Sequence, residues 1–113
     1  MKRYLIDLRP NQEPELLEVR CGALSKAEVR EIAGGDFCTV QGTRPGMILI
    51  LCGEEPAGIN YIATDLLPIS DGSVPIHGRV LVAIERLRGV SGMEYAYARH
   101  WVDRLTPARE AAV

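Results

Sequence analysis

Residues 47–52 read MILILC, six apolar positions in succession. A turn segment, GTRPG at 42–46, precedes them, and a second, GEEPAG at 53–58, follows. A continuously apolar run of this length, bounded by turn residues, is typical of a strand that is buried on both of its faces. We therefore place this strand in the middle of a sheet.

Four further segments are predicted to be strands of the same sheet. In 2–8 (KRYLIDL) and 76–86 (IHGRVLVAIER), apolar residues alternate with other residues, which puts them on one face of a strand. Segments 15–20 (ELLEVR) and 36–41 (DFCTVQ) show the same character. The short loop between the first two segments in chain order predicts a hairpin.

Two capping-box motifs mark where helices are expected to begin. SKAE at 25–28 predicts a helix over about residues 25–34, ended by the glycine pair that follows. SGME at 91–94 predicts a second helix over about 92–105, which Pro107 would end. In both motifs the serine hydroxyl would accept from the third amide of the helix.

Together these elements predict an α+β fold: a mostly antiparallel sheet of about five strands with two helices packed on it. The chain has 113 residues, room for one domain. We assign residues 1–105 to that domain and expect 106–113 to be a flexible C-terminal tail. The segment INYI at 59–62 is open to two interpretations, a short strand or the start of a helical turn.

The composition indicates a globular protein in the cytosol. Apolar residues make up 47% and charged residues 25%, whereas a disordered chain has fewer apolar residues and more net charge. No apolar run approaches the roughly 20 residues that span a bilayer. The N-terminus reaches Asp7 before a signal-peptide core could form. The net charge of −2 argues against direct binding to nucleic acid.

The three cysteines, Cys21, Cys38 and Cys52, are expected to be free thiols. Their number is odd and their spacing includes no C-x-x-C motif, which argues against a disulfide framework. The two histidines, His77 and His100, have no cysteine, histidine or carboxylate at the spacing of a zinc site. We therefore predict neither a metal nor another cofactor.

No motif in the sequence supports catalysis. A serine-histidine-aspartate set can be assembled only from Ser70 or Ser73, Asp71 and His77, without a G-x-S-x-G elbow. Serines in a loop rich in proline and glycine usually serve turn formation. The chain also has no P-loop and no G-x-G-x-x-G motif. We predict that the protein is not an enzyme.

Arginines near the end of the long predicted strand form a candidate anion site. Arg86, Arg88 and Arg79 precede the N-terminus of the last helix, and both guanidinium groups and helix N-termini attract anions. The alternative interpretation is a solvent-exposed strand end with Glu85 nearby.

Aromatic residues on the last helix form a candidate partner surface. Tyr95, Tyr97 and Trp101 cannot all lie on one face of a helix with 3.6 residues per turn. An exposed tyrosine would favour a partner interface, and the alternative is a tyrosine at the edge of the core. We add the acidic pair Glu54 and Glu55 in the second turn as candidate partner contacts.

The order of these segments also resembles a known group of proteins. The segments that carry the resemblance are PELLEV at 14–19, GGDFCTV at 34–40, EEPAGI at 54–59 and IHGRVLVA at 76–83. Over residues 2–86 the chain resembles a family of small proteins with a domain of unknown function, carried by bacteriophages, plasmids and integrated elements. The resemblance implies a mobile-element origin and a bacterial host cytosol, and it implies no activity.

Two functions from different classes follow as hypotheses. The first is a non-enzymatic binding protein of a phage or mobile element that inhibits a host protein, such as a component of antiviral defence, as anti-CRISPR proteins do. The alternative is a binding protein for a small ligand or nucleotide, an oligomeric sponge whose arginines hold phosphate. Exposed strand edges in a small sheet also predict a homodimer.

Overall fold

The structure, a computed structural model, describes residues 2–20, 23–52, 58–67, 75–86 and 89–111. Within them the chain forms seven strands and three helices. In chain order they are β1 Arg3–Leu8, β2 Glu15–Val19, β3 Ala23–Leu24, α1 Lys26–Ala33, β4 Cys38–Gln41, β5 Met47–Cys52, α2 Tyr61–Asp65, β6 Arg79–Arg86, β7 Gly89–Ser91 and α3 Tyr95–Ala111.

The strands form one antiparallel sheet in the order β2-β1-β6-β5-β4, which confirms the predicted α+β fold. Strand β5 pairs with β4 on one side and along its whole length with β6 on the other, so its central position is also confirmed. The short strand β7 pairs antiparallel with the end of β6 and also pairs with β3. Strands β2 and β4 are the ends of this order, and the edge-paired homodimer stays a prediction.

Each face of the sheet is covered by helices, which explains why β5 is apolar throughout. Successive side chains of a strand point to opposite faces. Leu49 therefore packs with Ala98 and Trp101 of α3, and Ile50 packs on the other face with Val29 of α1. Both strand residues are fully buried. A polar residue in the middle of β5 would meet an apolar layer on either side.

Helix α1 begins and ends as its sequence predicts. The Ser25 hydroxyl accepts from the Glu28 amide at 3.1 Å, and the Ser25 amide donates to the Glu28 carboxylate at 2.9 Å. The hydrogen bond from the Ser25 amide to the Glu28 carboxylate lowers the pKa of Glu28 below its usual range, and a side-chain hydrogen bond with Ser25 adds to the effect. Gly34 ends the helix with φ of 85°, a conformation that favours glycine. The capping box and the glycine therefore fix both boundaries locally.

The second predicted capping box is wrong. Ser91 is the last residue of β7, and helix α3 begins only at Tyr95. The physical reason is a strand contact: the Met93 and Tyr4 backbones exchange two hydrogen bonds of 2.7 and 2.8 Å. This pairing keeps the backbone extended through Met93, so the first helical carbonyl is that of Glu94, which accepts from the Ala98 amide.

The C-terminal boundary of α3 also differs from the prediction. The sequence predicts an end near residue 105, whereas the helix continues to Ala111. The flexible tail over 106–113 stays a prediction. Proline removes one backbone donor from a helix and crowds the preceding turn, which led us to expect an end at Pro107. The residues after it are mostly alanine, arginine and glutamate, strong helix formers that favour continuation.

The segment at 59–62 adopts the helical alternative. Asn60 caps α2 through its side-chain oxygen, which accepts from the Ala63 amide at 3.1 Å. Its side-chain nitrogen donates to the carbonyl of Leu8 at 3.0 Å and to that of Gly78 at 2.8 Å. Asn60 is only 2% exposed. One buried amide therefore connects the end of β1, the start of α2 and the residue before β6.

Candidate functional site

Arg79, the first residue of β6, forms hydrogen bonds with two other elements of the fold. Its guanidinium donates to both carboxylate oxygens of Asp7, at 2.9 and 3.0 Å, and to the carbonyl of Ile32 in α1 at 3.0 Å. The hydrogen bond to Asp7 raises the pKa of Arg79, against the opposing effect of burial. The Asp7 side chain is itself buried. Arg79 therefore joins β1, β6 and α1 and is not available as a predicted anion ligand.

Arg86 lies at the other end of the same strand. Seven residue steps separate it from Arg79, roughly 23 Å along a strand. The structure therefore does not bring these two predicted anion ligands together. Arg86 is exposed, and it forms no salt bridge within the described part of the chain.

Several residues that the sequence analysis names lie outside the described residues. They are Cys21, Glu54, Glu55, Ser70, Asp71, Ser73 and Arg88.

Arg86 and Tyr97, assigned by sequence to two different sites, line one groove. The groove encloses about 410 Å³ between the start of α3, the start of β1, the turn before β5 and the end of β6, and we call it the Tyr97 groove. Its lining residues are Arg3, Pro45, Gly46, Ile84, Glu85, Arg86, Glu94 and Tyr97. The structure thus joins an arginine and an aromatic residue on one accessible surface.

Both candidate tyrosines of α3 are exposed. Tyr95 is 54% exposed and its ring packs edge-on against Tyr4, with centroids 5.4 Å apart. Tyr97 is 44% exposed and no ring packs against it among the described residues. The buried face of the helix consists instead of Ala98, Trp101 and Val102. Tyr97 is therefore the freer of the two side chains to contact a partner.

A second cluster adjoins the Tyr97 groove one helical turn further along α3. The guanidinium carbons of Arg44 and Arg104 lie 5.6 and 5.9 Å from the centroid of the Trp101 ring, within cation–π range. Arg44 belongs to the turn before β5 and is the neighbour of Pro45, which lines the groove. We call Arg44, Trp101 and Arg104 the Trp101 cluster.

Sequence reasoning missed the two arginines of this cluster. The spacing of Trp101 and Arg104, three residues apart on a helix, was a usable signal because such residues are neighbours on the helix surface. No comparable signal existed for Arg44, since its contact with Trp101 depends on how the turn before β5 packs against α3.

A larger groove lies on the opposite face of the sheet but has fewer groups available to bind a ligand. It encloses about 790 Å³ beside α1 and β2. Its lining residues are Leu17, Glu18, Val19, Arg20, Leu24, Glu28, Glu31, Ile32 and Arg79. Three of these are glutamates, and Arg79 already binds Asp7. The three glutamates outnumber the two arginines, one of which is already paired, so the groove does not favour an anion and has no available buried group to select a ligand.

The described cysteines and histidines do not form a reactive centre. Cys52 is buried in β5, and burial raises the pKa of its thiol, which makes the nucleophilic thiolate less accessible. Cys38 is exposed on the edge strand β4. Within the described ranges, no three histidine, cysteine, aspartate or glutamate side chains lie close enough together to hold a metal ion.

Comparisons with protein-family models, with curated proteins and with solved structures found no match. The resemblance to small mobile-element proteins therefore stays a prediction. In the part of the chain that the structure describes, none of the helices combines the length and the apolar character needed to cross a membrane.

Proposed function

We propose that this protein is a non-enzymatic binding protein that contacts a protein partner through the Tyr97 groove and the adjoining Trp101 cluster. One observation carries the proposal: Tyr97, 44% exposed, shares a groove with the exposed Arg86. Tyrosine, tryptophan and arginine are the residue types most enriched among the side chains that dominate binding energy at protein interfaces.

The buried polar groups support binding rather than catalysis. Asp7 binds Arg79, Asn60 forms hydrogen bonds with three backbone groups, and burial raises the pKa of the Cys52 thiol. A titratable side chain can act in catalysis only where it faces a substrate position. These three groups face the protein's own backbone and side chains instead.

The partner that we propose is a protein of a bacterial host, with a component of antiviral defence as the specific version. This part of the proposal depends on the sequence resemblance to proteins of phages and plasmids. A small protein that inhibits a host component by binding needs an accessible surface, and the exposed tyrosines of α3 with the Tyr97 groove supply one.

A small-anion sponge is the second candidate, because Arg3 and Arg86 line the same groove. One of the residues predicted to bind the anion is not available for this function, since Arg79 is bound by Asp7. The two candidates differ in what stabilises the protein. A sponge predicts that a nucleotide raises the melting temperature and that Arg86→Ala removes the rise. The protein-binding proposal predicts no such rise with nucleotides.

The proposed function is tested by native capture from host lysate followed by mass spectrometry. Three tagged proteins are compared: the unmodified chain, Tyr97→Ala and Tyr61→Ala. Tyr61 is the matched control because it is 68% exposed on α2, outside the Tyr97 groove. We expect one stoichiometric protein with the unmodified chain and with Tyr61→Ala, and its loss with Tyr97→Ala. Equal capture by all three, or capture of none, would contradict the proposal.

A further inference from the structure

The Trp101 cluster contains hydrogen-bond donors without acceptors. A guanidinium has five N–H donors and no acceptor. Neither Arg44 nor Arg104 forms a salt bridge within the described part of the chain. Arg99, which lies on α3 as Arg104 does, is by contrast paired with Asp103 at 3.4 Å. The two arginines that face the indole ring therefore keep charges that no described carboxylate neutralises at salt-bridge distance.

The indole nitrogen of Trp101 adds a third donor. Trp101 is only 9% exposed, and among the described residues its Nε1 is the one buried side-chain polar atom without a hydrogen-bond partner. Buried tryptophans usually find an acceptor for this N–H group, because leaving it unpaired is unfavourable. The surrounding guanidinium groups cannot supply that acceptor, since they too only donate.

Two positive charges on one ring also repel each other. The attraction of each guanidinium to the ring face offsets part of this repulsion. An oxyanion beside the arginines would weaken this repulsion further and would accept unused N–H groups, because guanidinium and carboxylate form charge-assisted, often bidentate hydrogen bonds. Both arginines are exposed, so their long side chains can turn toward such a group.

We propose that the Trp101 cluster recognises a carboxylate in an acidic peptide segment of the protein partner. This inference rests on the proposed function and specifies the chemistry of the partner. A peptide that placed a glutamate or aspartate beside Arg44 and Arg104 could lay its neighbouring residues into the Tyr97 groove, where Pro45 and the exposed Tyr97 ring offer apolar contacts.

The charges around the cluster favour a peptide over a nucleic acid. Glu85 and Glu94 line the adjoining Tyr97 groove, and the whole chain has a net charge of −2. A continuous phosphate backbone that passed through the groove would meet these carboxylates, whereas proteins that bind nucleic acid present tracts of positive charge. A single carboxylate flanked by apolar residues avoids this repulsion.

Trp101 itself reports on the site, because it is the only tryptophan in the chain. We would titrate the full chain with a short capped peptide that carries one glutamate between leucines and follow the tryptophan emission. The matched control is the same peptide with glutamine in place of the glutamate. We expect a saturable change with the glutamate peptide and none with the glutamine peptide. Equal responses to the two peptides, or no response to either, would overturn the proposal.

Two variants and one control variant assign the binding to the cluster. Arg44→Gln and Arg104→Gln each remove a charge-assisted hydrogen-bond donor, and we expect each to raise the Kd for the peptide about tenfold. Arg20→Gln changes an exposed arginine beside the larger groove and should leave the Kd unchanged. Equal weakening in all three variants would indicate only a general charge effect and would overturn the assignment.

Inorganic phosphate and a short oligothymidine are titrated in parallel. Saturation by either of them, with no response to the glutamate peptide, would overturn the peptide proposal in favour of phosphate recognition. Capture from lysate separates this outcome from failure of the proposed function. If Arg44→Gln and Arg104→Gln retain the partner that Tyr97→Ala loses, the carboxylate inference is wrong and the proposed protein-binding function stands.

Discussion

The two ends of strand β6 carry arginines with opposite surroundings. At the first end, Arg79 binds both oxygens of Asp7 and a carbonyl of α1, and Asn60 binds the carbonyl of the preceding Gly78. At the second end, Arg86 is exposed beside Tyr97 and meets no described carboxylate at salt-bridge distance. We call them the closed end and the open end.

The comparison shows that residue type alone does not assign a role. An arginine beside a buried carboxylate stabilises the fold, because the ion pair compensates for the hydration that each charged group loses on burial. An arginine beside an exposed aromatic ring keeps its donors for a partner. Substitutions at the closed end should therefore lower stability, and substitutions at the open end should lower binding.

The largest expected effect is that of Asn60→Ala at the closed end. The change removes the cap of α2 and leaves the buried carbonyls of Leu8 and Gly78 without their side-chain donor. We expect a loss of about 4 kcal/mol in the free energy of unfolding, the sum of a lost cap and two weakened buried groups. Urea denaturation measures it. A loss below about 1 kcal/mol would contradict the account of this end.

Asp7→Ala is expected to cause the second-largest loss of stability. It leaves Arg79 partly buried without its carboxylate, and removing one member of a buried ion pair destabilises proteins by roughly 3 kcal/mol or more. Arg86→Ala is its matched control at the open end. Thermal and urea unfolding of the two variants should separate them clearly, and equal losses of stability would remove the distinction between the two ends.

Tyr95→Ala should have an intermediate effect. Its ring packs edge-on against Tyr4, and such aromatic pairs contribute about 1 kcal/mol beyond the area they bury. The exposed Tyr97 has no such ring partner, so Tyr97→Ala should cost less stability than Tyr95→Ala. The difference is measured by urea denaturation of both variants. The opposite order would mean that Tyr97 serves the fold and not a partner.

The smallest expected effect on stability is that of Arg86→Ala. Exposed residues without specific partners usually change stability by less than about 0.5 kcal/mol on substitution. We nevertheless expect this variant to weaken capture of the partner, because Arg86 lines the Tyr97 groove. Capture from lysate, read beside the melting temperature, checks both parts. A folded variant with undiminished capture would exclude Arg86 from the interface.

The sequence predicts the elements whose signals are local. The apolar run MILILC identifies β5, and the motif SKAE with its following glycines fixes α1, because the capping atoms lie within a few residues of one another. The motif SGME fails since Met93 pairs with Tyr4, distant in the chain. A long-range strand contact thus overrides a local helix signal, and no local pattern records it.

The candidate site also combines features that local sequence signals predict with features that depend on long-range contacts. Helical periodicity predicts that a tyrosine of α3 is exposed, and the structure confirms it for Tyr95 and Tyr97. Proximity in sequence grouped Arg79 with Arg86, although an extended strand places its two ends far apart. The partner of Arg79 is Asp7, 72 residues away, so its structural role follows only from the tertiary fold.

Site-specific photocrosslinking tests the central claim that the open end of β6 is the interface. A photoreactive phenylalanine analogue replaces Tyr97 in one protein and the control Tyr61 in another, and both are irradiated in host lysate. We predict a discrete crosslinked protein from position 97 and none from position 61. The same crosslinked protein from position 61 alone, or none from position 97, would contradict the account.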